Sequence, residues 1–471
     1  MWAKSPPPQA APPSTRDLLL QTAKAALPNV PDEIAVMYRV ELGRAEAMRA
    51  APGRSQAGLD DLARAFDQAV QMPAGHDDSP ESKLRGLIKD HAEQEAVVFT
   101  ATVDARQALA LIRRADIPRA NLYDQVLYDV AIMARHKHKV ADLDPMTIVR
   151  ECQRNGSFPY RGVTQIINND LVPVEQRLAL ARMELQYAQG DDLNDHYELL
   201  NAPGALTPMH GVFPQLDAQI VDADTNILRQ FDKIANGGKM AAGSARRQGT
   251  FLLAALRQID GSRAAELASQ YPEFVATSDL AASSPALFGA LHDRQTAAAE
   301  ELPPLPADTA DAAARFAANA QRAAILAKKD PAQALDDAHR AVALATADLL
   351  SESGMPETAF HLAMTLKGLH DARDADDLLG RALDALAASD AAREKAYREG
   401  DETAVLQFVM KQAGARSGAT WAALLVADQV DFEITARHVL AWPEPITRVA
   451  ALIAAAWGDA PQPNSSRPSR Y

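Results

Sequence analysis

Apolar residues recur at three- and four-residue spacing along most of this chain, and the pattern is cleanest in residues 330–388. Ala334, Leu335, Ala338, Val342, Ala345 and Leu349 form one stripe. Ala359, Ala363, Leu366 and Leu369 form a second, and Ala375, Leu378, Leu379, Ala382, Leu383 and Leu386 a third. This spacing gathers each set on one face of an α-helix. Asp330-Pro331 predicts the first start, with an acidic N-cap and a proline where the missing N–H has no role, and Gly354 and Pro356 separate the stripes. Short antiparallel helices with narrow Ala/Leu faces bury them by stacking on the next pair, so the expected architecture is all-α, an α-solenoid-like array of helical hairpins.

The same reading extends over the rest of the chain. Thr15 is expected to cap a helix ended by Pro28, and helices follow over 31–45, 55–72 and 80–102. Asp104 to Ala115, the Leu122 to Met133 stretch and the Asp144-Pro145 start carry the pattern onward to Gly156. Residues 157–162 read as an aromatic-rich irregular loop, after which Pro173 opens a helix closed by Gly190. Helices are predicted over 212–236 and 244–259, and again over 401–412, 419–430, 435–442 and 445–457. The proline-rich run 301–307, "ELPPLPA", marks the interior boundary. The expected organisation is a disordered Pro/Ala-rich tail over 1–14, an irregular helical-repeat region over 15–300, the linker, a second helical-repeat region over 308–458 and a disordered tail over 459–471.

Helices pair at intervals of about 30 to 45 residues, the range of helical-hairpin repeats. Residues 375–388, "ADDLLGRALDALAA", resemble the second helix of a tetratricopeptide-type hairpin, and the 445–457 helix is similar to those of HEAT-type arrays. The full tetratricopeptide pattern of tryptophan, glycine-tyrosine, alanine and proline is absent. The resemblance covers about a third of the chain and implies a fold, with no functional residues to carry over.

Composition narrows the classes. Aromatic residues make up 5% against 47% hydrophobic, which favours helices packed through small side chains over strand-rich folds. The net charge of −14 runs opposite to that of a general nucleic-acid binder. Cys152 stands alone, which removes an intramolecular disulfide and a cysteine-rich zinc site. No run of about 18 apolar residues is present, so no membrane-spanning helix is expected. A cytoplasmic location is favoured, with periplasm or export open if a signal peptide precedes this numbering; the default oligomeric state is a monomer.

Motifs with chemistry are few. Asp222, Asp224 and Asn226 imitate the start of a calcium loop, but Ile227 and Lys233 stand where its glycine and bidentate carboxylate belong. Gly237, Gly238, Lys239 and Gly243-Ser244, followed by Arg246 and Arg247, hint at a phosphate cradle without the spacing of a Walker loop. His136 and His138 point to different sides of a helix, and His91 with Glu95 lacks the partners of a di-iron bundle. No nucleophile motif occurs. No cofactor, metal or catalytic residue is therefore assigned. The candidate binding residues are Phe158, Tyr160 and Arg161, side-chain types that anchor interfaces when a loop presents them, together with Arg246 and Arg247. The expected function is a non-catalytic helical-repeat scaffold or adaptor that binds another protein or a peptide. The alternative is an all-α enzyme or small-ligand protein with an interhelical pocket. Nucleic-acid binding would require 135–139 and Arg246-Arg247 to share one basic face.

Overall fold

The computed structural model describes residues 14–49, 55–73, 80–117, 119, 122–128, 131, 144–189, 206, 209–236, 242–275, 302, 304, 311–352, 354–400, 408 and 419–457. Every regular element among them is helical. In chain order the principal helices are α1 (Thr15–Ala26), α2 (Asp32–Arg49), α3 (Ser55–Gln71), α4 (Pro80–Val103), α5 (Ala105–Ile112) and α6 (Pro145–Arg154). Then come α7 (Tyr160–Ile167), α8 (Val174–Ala188), α9 (Asp217–Asn236), α10 (Ala242–Ile259) and α11 (Gly261–Gln270). The last seven are α12 (Ala312–Leu326), α13 (Pro331–Leu344), α14 (Met355–Gly368), α15 (Ala372–Arg398), α16 (Ala419–Val430), α17 (Phe432–Leu440) and α18 (Pro445–Trp457). The expected tails and most of the 301–307 linker lie outside the described residues, as does the stretch 401–407.

Aspartate starts these helices again and again. Asp104, Asp144, Asp260, Asp330, Asp371 and Asp431 each accept a backbone N–H from the first turn that follows. A carboxylate there satisfies amides that have no intrahelical partner and meets the positive end of the helix dipole. At α1 the cap is Ser14, one residue before the expected Thr15, and it forms a reciprocal capping box with Asp17. The stripe read as one helix over 330–349 breaks after Leu344: Ala345 leaves helical geometry at ψ 71° and Thr346 caps a separate turn, Ala347–Leu350. Helix α14 ends in a Schellman motif, with Asp371 N–H donating to the Leu366 carbonyl and His370 N–H to that of Lys367. The residue in the left-handed position of that motif is His370, at φ 66°.

The chain folds into two compact units, one from residues 1–92 and 300–471, the other from 93–299. The first unit thus joins the opening helices to the C-terminal region, a grouping that the linker at 301–307 does not suggest. Within it α12 pairs with α13, α14 with α15 and α16 with α17. Helix α14 lies between α12 and α16, and α15 lies beside α17. Helix α18 receives α16 and α17 on one side and α1 and α2 on another, and α2 pairs with α3. That many neighbours explains why every residue from Ala451 to Trp457 is buried. The α2–α3 contact is backbone on backbone, since a Cβ on Gly58 would lie 2.4 Å from the Ala47 nitrogen and 2.5 Å from the Gly43 carbonyl oxygen.

In the second unit α7 packs on α8, α8 on α9, α9 on α10 and α10 on α11. Tyr160 to Gly162, expected to be loop, is the first turn of α7. No side chain of the preceding segment caps that turn.

Candidate functional site

The exposed residues of the first unit differ in chemistry from helix to helix. On α12 the exposed residues include Ala314, Gln321 and Ala324; on α14 they are His361, Met364 and Gly368; on α16 Gln429 is exposed, with Ala422, Leu425 and Val426 half-buried. Apart from His361 this set has no titratable group, and Met364 is 39% exposed. On α13, α15 and α17 the exposed residues include titratable groups: Asp336, His339 and Arg340 on α13, Arg373, Asp377 and Asp384 on α15, Glu433 and Arg437 on α17.

Polar contacts tie successive second helices together. His339 Nε2 lies 2.7 Å from Asp371 Oδ2 and 3.6 Å from Asp374 Oδ2. Across the next junction His438 Nδ1 lies 2.9 Å from Asp384. Lys367 donates to Asp431 and to the Val430 carbonyl. Among the described residues, His339, Asp371 and Asp374 are the one set of three His, Cys, Asp or Glu donors within 4.8 Å of one another. Asp371 is also the N-cap of α15, and its hydrogen bond with His339 holds its carboxyl below the usual range. Helix capping and ion pairing account for all three side chains.

Glu394, Asp337 and Asp428, buried acids of the first unit, have donors. Glu394, fully buried on α15, accepts the Ile446 and Thr447 amides and the Thr447 hydroxyl at 2.9–3.1 Å, which caps α18 from a neighbouring helix. Arg398 adds a charged donor at 2.6 Å. Tyr38 on α2 is wholly buried; burial, together with Glu394 and Asp390, pushes its hydroxyl well above the ordinary tyrosine range. Asp337 pairs with Arg322 at 3.0 Å inside the α12–α13 hairpin. Both Asp428 oxygens accept from Nη2 of Arg16, at 3.0 and 3.2 Å, and the Arg16 guanidinium also lies 4.1 Å from the Phe432 ring centroid.

The second unit differs. Asp124, in the helical residues 122–128, accepts the Gly162 amide at 2.8 Å and so caps α7, and Glu93 accepts the Asp116 amide at 3.0 Å. Glu184 on α8 and Asp224 on α9 are also fully buried, yet none of their four carboxyl oxygens has a hydrogen-bond partner. Burial pushes the Glu184 carboxyl well above its usual range, and the charge of Asp124 adds to the effect; burial alone does the same to Asp224. A carboxylate taken out of water without donors is costly, so the neutral form is favoured.

The loop residues expected to face a partner turn inward. Phe158 and Tyr160 are both 0% exposed, in a ring cluster with Tyr187 at centroid separations of 5.1 to 6.4 Å. Their apolar area joins α7 to α8, which is why the interior claims them. Arg161 is half-buried with its guanidinium 4.9 Å from the Tyr128 ring centroid. Arg246 reaches the Ala235 carbonyl near the end of α9 at 3.5 Å, a helix C-terminal contact. The Arg247 side chain, residues 237–241 and the basic run 135–139 lie outside the described residues. Asp222, Asp224 and Asn226 sit on continuous helix: the first is exposed, the second buried, and the third bonds the Ala188 carbonyl, so they do not surround a cation. A shallow groove lined by Asp217, Asp222, Asp260 and Arg263 has its polar groups engaged by His210, by the α11 cap and by Glu266, Asp222 apart. Cys152 is buried.

Glu184 and Asp224 had a visible signal in the sequence. Each is an acid inside an apolar stripe, Glu184 among Leu180, Ala181, Leu185 and Ala188, and Asp224 among Ile220, Val221, Ile227 and Leu228. An interruption of that kind marks a buried titratable group. Comparison with known protein families, with curated proteins and with solved structures finds no match. No helix among the described residues is long and apolar enough to cross a membrane.

Proposed function

We propose that this chain is a non-catalytic helical-repeat adaptor of the α-solenoid kind, which binds a peptide or helix of another protein along the outward side of α12, α14 and α16. The observation that carries the reading is the order of packing in the first unit. First helix stacks beside first helix from α12 through α14 to α16, second helix beside second helix from α15 to α17, and α18 with α1, α2 and α3 continues the series. Stacked hairpins of this type build extended binding surfaces from small rotations between repeats. The uncharged side suits an apolar or weakly polar segment, with Met364 as an adaptable contact. The buried acids of this unit serve helix ends and ion pairs, which leaves them no evident role in catalysis.

A second reading, a small-ligand protein or enzyme, draws on Glu184 and Asp224. An all-α pocket would need such groups to converge at a cleft. The groove lined by α9 and α11 does not include either of them.

The test is site-specific photocrosslinking of the full-length chain in its native host, with a benzophenone amino acid at Met364 or at Asp377. The adaptor reading predicts a discrete adduct from position 364 and none from 377. An adduct from 377 alone, or from neither, contradicts it. Met364→Glu is expected to abolish capture at neighbouring His361 while stability changes by less than about 0.5 kcal/mol.

A further inference from the structure

Glu184 is a buried acid with no assigned partner, and its surroundings specify its charge state. From the helical residues 122–128 it faces Asp124, the one charge that acts on it. Asp124 serves as a cap: it accepts the Gly162 amide in the first turn of α7, where the helix dipole favours a negative group. From α7 come Tyr160 and Arg161, and the Arg161 guanidinium lies over Tyr128. From α9 comes Asp224, itself buried and without hydrogen bonds. On α8, Arg177 bonds the Ile167 carbonyl and Asp170, and the Tyr187 hydroxyl bonds the Gly156 carbonyl. No cation among these offsets a charge on Glu184.

The packing leaves little room to relax. A Cβ on Gly162 would sit 2.6 Å from the Leu127 Cβ and 2.9 Å from the Asp124 carbonyl oxygen, so α7 and residues 122–128 are in direct contact. Phe158, Tyr160 and Tyr187 close the α7–α8 junction. Two adjacent buried carboxylates here would repel each other, and one would lack any donor.

We propose that the second unit closes around a proton held on Glu184, and that release of this proton as pH rises unlatches α7 from α8 and uncovers the Phe158–Tyr160–Tyr187 cluster. The linkage has a definite sign. In the unfolded chain Glu184 titrates in the ordinary glutamate range; in the folded unit its pKa is raised, so the proton is held to higher pH. Below the ordinary range both states carry the proton and no penalty arises. Between the two values the folded unit binds more protons than the unfolded one, and the folding equilibrium weakens by about tenfold per pH unit until the folded-state value is passed. The device does not depend on the adaptor reading.

The test is urea unfolding of the full-length chain and of Glu184→Gln across pH 6 to 9, followed by hydrogen exchange of peptides covering 160–188. Glutamine keeps the shape and cannot lose a proton. The wild-type chain is expected to lose stability of this unit more steeply with pH than the variant, by up to a further tenfold in the folding equilibrium per pH unit, with declining protection of α7 and α8; the slope left in the variant belongs to Asp224. Equal slopes for the two proteins overturn the proposal. If Glu184→Gln does not fold, Asp124→Asn answers instead: it keeps an acceptor for Gly162 and removes the neighbouring charge. The decline in protection at 160–188 should then level off at lower pH than in wild type, because the folded-state value of Glu184 falls. An unmoved upper end of the decline would equally overturn the proposal.

Discussion

The two compact units differ in what meets their most deeply buried acids. In the first, Glu394, Asp337 and Asp428 are buried and each meets donors: two amides, a hydroxyl and Arg398 for Glu394, Arg322 for Asp337, Arg16 for Asp428. Glu394 and Asp428 join elements that are not neighbours in sequence, α15 to α18 and α16 to α1, while Asp337 ties α13 to the preceding α12. In the second unit Asp124 and Glu93 behave likewise, but Glu184 and Asp224 have no donor at all. A buried acid with donors acts as a clasp at any pH where it is ionised. Without donors the neutral form is favoured, and ionisation works against the packing around it.

Removing a clasp should have the largest effect. Glu394→Ala leaves the first turn of α18 and Arg398 without their acceptor, and is expected to destabilise the first unit by about 4 kcal/mol, read by denaturant unfolding. A loss below about 1 kcal/mol would show that α18 finds another cap and would erase the contrast. Gly162→Ala is the counterpart in the second unit. Its methyl group would overlap Leu127, and a loss of about 2 kcal/mol is expected, with the amide of residue 162 exchanging faster. A neutral outcome would mean that α7 is not seated against residues 122–128. The smallest effect is a gain. His370 holds a left-handed conformation that glycine adopts without a Cβ penalty, so His370→Gly should stabilise the first unit by about 1 kcal/mol in a thermal melt. Destabilisation would place the Schellman geometry of α14 in doubt.

Much of the helical framework was legible because its signals are local. Asp330-Pro331, Asp144-Pro145 and the Ala/Leu stripes each announce a helix within one or two turns, and the structure has helices there. What escaped depends on distant contacts. The proline-rich run 301–307 reads as a boundary, yet nothing near it says that α1 and α2 pack on α18, because that pairing is set by faces more than 400 residues apart. Phe158 and Tyr160 read as interface anchors because ring and guanidinium chemistry suits both surfaces and cores; only the position of Tyr187 decides that the rings go inside. Glu394 is a charged residue late in a long amphipathic helix, and its role depends on the start of α18, which lies 52 residues away. Glu184 and Asp224 were in plain view as acids on apolar stripes, but periodicity alone does not say whether a donor awaits them.

Hydrogen exchange of the intact chain, followed peptide by peptide from pH 6 to 9 and corrected for intrinsic chemical exchange, tests the contrast most directly. Peptides from α7 and α8 should lose protection as pH rises, by up to about tenfold per unit, while those from α15 and α18 stay constant. Constant protection in both regions, or a decline confined to α15 and α18, would contradict the account.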